Sequence, residues 1–124
     1  MLFTMRLEEA PFEQIRSGKK TVELRLYDEK RRRLSVLDRI VFSKLPDEVD
    51  KITVVVDGIY RYASFEDLFY DIPPADCGFD EGVTPEQAAL EMHRYYSEED
   101  ERRFGVVGIG IELKDYQKCG VEEE

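Results

Sequence analysis

The stretch Gly18-Lys19-Lys20-Thr21-Val22-Glu23-Leu24-Arg25 holds a dense set of side chains capable of chemistry. From Thr21 to Tyr27 apolar and polar residues alternate, which is the pattern of a half-buried strand. Val22, Leu24 and Leu26 point one way, and Thr21, Glu23, Arg25 and Tyr27 the other. Gly18 ends a preceding helix and lets the backbone turn sharply into that strand, with Lys20 at the turn. If the polar face looks into a cleft, an ammonium, a carboxylate and a guanidinium converge there. Buried charges must pair, so Glu23 would neutralise Lys20 or Arg25 in the empty site. A ligand with a carbonyl or phosphate beside an amino group can replace that pairing. A nucleobase edge offers such groups, and arginine also stacks on bases. Spacing alone favours a plainer reading, a solvated strand face on which Glu23 and Arg25 pair with cross-strand neighbours.

Other chemistries have little to build on. His93 is the one histidine, and Cys77 and Cys119 stand far apart in no metal or redox spacing, so the expectation is no metal and no cofactor. No serine–histidine triad has local support. The two thiols read as free cysteines of a reducing compartment. The start of the chain lacks the pattern of a signal peptide, and no apolar run approaches the ~20 residues of a membrane span, so the expected location is cytoplasmic.

The 124 residues fit one domain, with 37% of them charged and a net charge of −10. That charge is uneven: residues 1–62 balance at +2 and residues 63–124 at −12. A protein that held long nucleic acid by phosphate neutralisation would carry a basic face. Any nucleic-acid role here must therefore rest on a local basic pocket or a nucleoside-sized ligand.

The elements that must position the Gly18–Arg25 stretch follow from pattern. Leu2 to Leu7 reads as a strand, and Pro11 lies in the first turn of a helix with Phe12 and Ile15 on its apolar side. Strands follow at 21–27, 40–42 and 51–63, and Gly58 inside the last marks a bulge or bend. Ser64 caps a helix over 65–70, Thr84-Pro85-Glu86-Gln87 starts a second that runs to about Tyr95, and Ser97 caps a third. Residues 105–113 form a closing strand. The domain is expected over 1–115, with 116–124 as a frayed tail. Short loops between the central strands argue for an α+β fold, a small barrel of five or six mixed strands with helices outside.

The run Ile15-Arg16-Ser17-Gly18-Lys19-Lys20-Thr21-Val22-Glu23-Leu24-Arg25 resembles the G-x-K-x-x-E-x-R signature of ASCH domains, a branch of the PUA-like superfamily. Pro11-Phe12, the segment Leu34 to Phe42 and the closing Gly105-Val106-Val107-Gly108-Ile109 resemble that family too, in order and over nearly the whole chain. Leu37 departs from it, standing where the family often has a glycine before the aspartate. The resemblance implies a PUA-like β-barrel with a cleft between barrel and helices, and an RNA, nucleotide or modified nucleoside as partner. Gly18, Lys20, Thr21, Glu23 and Arg25 would line that cleft, joined by Tyr96 and Ser97 from a Tyr-Tyr-Ser run similar to the family's. Some relatives are amidohydrolases acting on N4-acetylcytidine, with the signature lysine, a threonine three positions on and a distant glutamate as the catalytic set. Lys20 matches the lysine, Glu23 occupies the threonine's place, and Glu91, Glu98 and Glu99 are candidates for the distant acid.

Three functions remain open from the sequence. The first is a module binding RNA, a nucleotide or a modified nucleoside. The second is an enzyme cleaving an amide on such a nucleoside, with Lys20 polarising it and Glu23 handling the proton. The third is an adaptor that uses the acidic half to meet a basic protein. Lys30-Arg31-Arg32-Arg33 reads as a solvated turn, because acids flank it. The acids from Glu98 to Glu101 read as charge complementing a helix N-terminus, and His93 as a surface residue.

Overall fold

The computed structural model describes residues 1–118. Elements follow in the order β1 (Leu2–Leu7), α1 (Glu9–Arg16), β2 (Val22–Leu26), β3 (Arg39–Lys44), β4 (Lys51–Tyr62), α2 (Phe65–Asp71), α3 (Pro85–Met92), α4 (Glu98–Phe104) and β5 (Val106–Gln117), with short 3-10 turns at Arg31–Arg33 and Pro74–Cys77. This is the order of strands and helices that the sequence pattern predicts. Two boundaries differ by three residues or more. The helix expected to reach Tyr95 ends at Met92. The last strand runs on to Gln117, because Tyr116 and Gln117 pair with Ile52 and Lys51. The rest of the expected tail, residues 119–124 with Cys119, lies outside the described residues.

The strands form one mixed sheet in the order β1-β3-β4-β5-β2, with β1 and β3 parallel and the other neighbours antiparallel. The register of β4 against β5 shifts between Val56 and Gly58, so the long strand bends where Gly58 stands. The bend lets the sheet curl around one core. Phe3, Met5 and Leu7 of β1 share that core with Ile52, Val54 and Val56 of β4 and with Val107 and Ile109 of β5, while Phe12 and Ile15 of α1 cover it. A second core lies on the outer side of β2, where Val22 and Leu24 pack under Phe65, Leu68 and Phe69 of α2 and Ala88 and Met92 of α3. The fold is thus an α+β barrel of five strands, left open between its edge strands β1 and β2. Among the described residues no helix is long and apolar enough to cross a membrane.

Leu37, the departure from the family pattern, has φ of 81°. Its side chain is 77% exposed, so little packing holds it there. A side chain with a Cβ is strained in this left-handed region by ~1–2 kcal/mol, while glycine is not. Leu37→Gly is therefore expected to stabilise the protein by about 0.5–1 kcal/mol after the added freedom of the unfolded chain is counted. Chemical denaturation of that variant beside Leu37→Ala checks it. Equal stability of the two would show that the backbone there stores no strain.

Candidate functional site

The strand β2 alternates as its sequence demands. Its apolar face packs on the second core, and its other face, with Glu23 and Arg25, looks into the open seam of the barrel. The turn before it is pinned on both sides. Gly18 has φ of 88°, the Lys20 amide donates to the Gln14 carbonyl, and the Thr21 amide donates to the Asp76 carbonyl. Opposite lies Gly78, where a Cβ would come within 2.5 Å of Gln14 Oε1 and 3.2 Å of Lys20 Cδ. The missing side chain at Gly78 is what leaves a channel for the Lys20 stem.

Glu23 is 3% exposed and sits between two cations. Arg25 Nε donates to Glu23 Oε2 at 2.7 Å. Lys20 Nζ lies 2.8 Å from Glu23 Oε1, so each carboxylate oxygen faces one cation. Arg25 Nη2 reaches across the seam to the Arg6 carbonyl of β1 at 3.0 Å. Burial by itself would push the Glu23 carboxyl up. The Lys20 and Arg25 charges outweigh it and hold the group below its ordinary range. The same balance holds for Arg25, where burial works against the charge and Glu23 raises the pKa in spite of it.

These groups form one wall of a cleft of about 700 Å³. The facing wall comes from β1 and α1 through Arg6, Pro11 and Gln14, and the far side from Phe79, Glu91, Tyr95 and Tyr96. Tyr95 is 66% exposed, and Tyr96 stacks on Phe65 with ring centroids 5.7 Å apart. Cys77 also lines the cleft, but burial pushes its thiol up to about 12, which leaves it protonated and a poor nucleophile. Among the described residues no group of three or more His, Cys, Asp or Glu side chains is placed to hold a metal ion.

The structure therefore brings together Lys20, Glu23, Arg25 and Tyr96. Gly18 and Thr21 shape the turn and do not line the cleft. The Ser97 hydroxyl accepts from the Asp100 amide as the cap of α4, also outside the cleft lining. Of the candidate distant acids, Glu91 lines the cleft, where it also pairs with Arg94 at 2.6 Å, whereas Glu98 and Glu99 are exposed on α4. Sequence reasoning missed Phe79, Gln14 and Arg6 as cleft residues. Phe79 follows a 3-10 turn with no periodic pattern. Arg6 sits on a strand whose alternation, with Phe3, Met5 and Leu7 buried, already turned it away from the core.

The ASCH domain family model matches residues 5–115. Among solved structures, the hypothetical protein PH0355 is 34% identical with a TM-score of 0.79, the match covering 92% of this chain and 100% of that one. Protein PF0455 from Pyrococcus furiosus is 35% identical with a TM-score of 0.70, over 94% of this chain and 100% of that one. ASCH from Zymomonas mobilis, at 18% identity, shares the fold with a TM-score of 0.58, over 92% of this chain and 67% of that one. No curated protein matches the chain. With most of its length matched by the family model and the signature residues gathered at one cleft, the chain belongs to the ASCH domain family.

Proposed function

We propose that this protein is a binding module whose cleft takes the nucleoside part of an RNA, a nucleotide or a modified nucleoside. The observation that carries this reading is the buried Lys20–Glu23–Arg25 trio in the wall of a cleft that aromatic side chains also line. The volume falls within the ~300–1,000 Å³ of small-molecule sites. Phe79 and Tyr95 supply flat apolar surfaces for a base, and Lys20 and Arg25 supply donors for a carbonyl or phosphate oxygen. Glu23 Oε1 is closed to solvent, so in the free protein the carboxylate serves as the anchor that holds both cations. It becomes a base-edge acceptor only when a ligand draws Lys20 aside.

Arg25→Lys tests this reading. The lysine keeps a charge beside Glu23 but loses the planar fork, so affinity for the bound nucleoside should fall about tenfold with little loss of stability. A thermal-shift screen of nucleosides and nucleotides with both proteins reads it. Ligand-induced stabilisation that is identical in the two would put the ligand elsewhere.

Amide hydrolysis on an N4-acetylcytidine-like nucleoside is the second reading, favoured by the placement of Lys20 in the cleft wall. A carboxylate held below its ordinary range by two cations is a weak base, which works against Glu23 as the proton-handling group. The expected result with N4-acetylcytidine is binding without conversion to cytidine. Conversion that disappears in Lys20→Ala would make the protein an amidohydrolase.

A further inference from the structure

The basic run after β2 is largely exposed beside its flanking acids, as its pattern implies, but two of its arginines are held in place. Arg31 pairs with Asp28 at 3.0 Å, but Arg32 turns back over the ring of Tyr27, its guanidinium carbon 4.6 Å from the ring centroid. Arg61, at the end of β4, lies over the same ring at 4.6 Å. The two guanidiniums are thus at most twice that distance apart. Both side chains are exposed, and neither has an ion-pair partner among the described residues. Together with Tyr62 and Phe104 they line a second hollow of about 440 Å³ at the ends of β2 and β4 and the start of β5. Arg103 extends this cluster, its guanidinium carbon 4.9 Å from the Phe104 ring. Of the acids in this region, Asp28 is engaged by Arg31 and Asp71 by the Tyr62 hydroxyl.

In a chain of net charge −10, unneutralised arginines gathered around one hollow need a reason. An arginine that rests its flat face on an aromatic ring keeps the edge of its fork free for a phosphate. The position of the hollow matters as much as its charge. Tyr27 continues β2, its amide donating to the Gly105 carbonyl at 2.9 Å, and it packs on the first core, on the side of the strand that carries Arg25. Two residues along an extended strand are roughly 6–7 Å. The wall of the cleft therefore runs directly into the arginine hollow.

We propose that the Tyr27–Arg32–Arg61 hollow is a phosphate subsite for a single-stranded nucleic acid, taking a phosphodiester next to the nucleoside held in the cleft. This rests on the cleft reading above and narrows it, since the ligand becomes a strand and not a free nucleoside. An exposed site of this kind on an acidic protein holds a free anion weakly. A phosphate tethered to a base already in the cleft arrives at high effective concentration.

The test measures binding of a short fluorescein-labelled random-sequence RNA, of free nucleosides and of inorganic phosphate. It compares the wild type, Arg32→Ala/Arg61→Ala and Arg25→Lys. The double variant removes exposed side chains, and a melting curve shows that it is folded. It should bind the RNA about tenfold more weakly or worse, with nucleoside affinity unchanged. Two lost phosphate contacts, at about 0.7 each, should lower the salt slope for RNA by about 1.4. RNA binding unaffected by the double variant but weakened by Arg25→Lys would sink the subsite and leave the cleft standing. Loss in the double variant with none in Arg25→Lys would keep the arginine hollow and overturn the cleft. Inorganic phosphate that binds the hollow as tightly as the RNA does would also overturn the strand, making the hollow a site for small anions.

Discussion

Replacing Glu23 by alanine should destabilise the protein by about 3–5 kcal/mol, because it leaves two cations in the cleft wall without a counter-charge. The Lys20 and Arg25 side chains are 10% and 15% exposed, too little for water to take over the role of the carboxylate. For a domain of this size the loss corresponds to a drop in Tm on the order of 10 °C or more. Two further variants separate stability from function. Replacing all three residues by apolar side chains of similar size should restore much of the stability, since a buried ion cluster gains little over good packing. Ligand binding should stay abolished in that triple variant. Such a result would mean that the trio is kept for recognition, at the cost of stability. A Glu23→Ala protein as stable as the wild type would show that the cations escape to solvent and that the cleft wall is not preformed.

The pH dependence follows from the same geometry. The Glu23 carboxyl is held below its ordinary value of 4.5, so the folded state binds its proton later than the unfolded state as pH falls. The stability that Glu23 contributes is therefore fully present above that value. It is lost as the pH drops through the ordinary value toward the lowered one. The gap between wild type and Glu23→Gln should be constant near neutrality. It should then narrow by up to about 1.4 kcal/mol per pH unit in acid. Urea titrations at several pH values read this directly. A gap that does not narrow would mean that folding does not lower the Glu23 pKa, and that the two cations do not hold the carboxylate in the way described.

The strand that carries the site was legible because its pattern is local. Alternation from Thr21 to Tyr27 placed Glu23 and Arg25 on one face, and helix-ending Gly18 placed Lys20 at the turn. What alternation could not give is the burial of that polar face. It depends on β1 lying across the seam, which the parallel pairing of β1 with β3 decides. On spacing alone a solvated face was the better reading, and the structure overturns it with Glu23 at 3% exposure. The family resemblance supplied the cleft that periodicity lacked. The basic run at Lys30–Arg33 was legible only in part: it is largely exposed beside its acids, as the pattern implies. Its flanking acids were visible in the sequence, but the ring of Tyr27 and the approach of Arg61 were not. Arg61 stands 28 or more positions away along the chain and is brought in by the far end of β4.

Glu101 is the sharpest case of a residue whose role depends on distant elements. In the sequence it is the last of four acids at the start of a helix, and helix-dipole complementarity accounts for all four. In the structure it is 7% exposed while Glu98 and Glu99 face solvent. Its Oε2 accepts from the Phe65 amide at 2.6 Å, in the first turn of α2, and its Oε1 lies 3.1 Å from His93 Nε2, just after α3. One carboxylate thus ties α4 to the start of α2 and to the end of α3, the helix whose Glu91 lines the far side of the cleft. His93, read from sequence as a surface residue, is half-buried as its partner. Glu101→Ala should cost about 2–3 kcal/mol, the range for charge-assisted hydrogen bonds lost with a buried donor left unpaired. Tyr96 leans on Phe65, the residue whose amide Glu101 holds, so the loss should reach the cleft. Nucleoside affinity is expected to fall together with stability, while Glu99→Ala should change neither. If Glu101→Ala lowers stability but leaves affinity untouched, then the helical wall only covers the second core, and recognition belongs to β2 and the residues facing it across the seam.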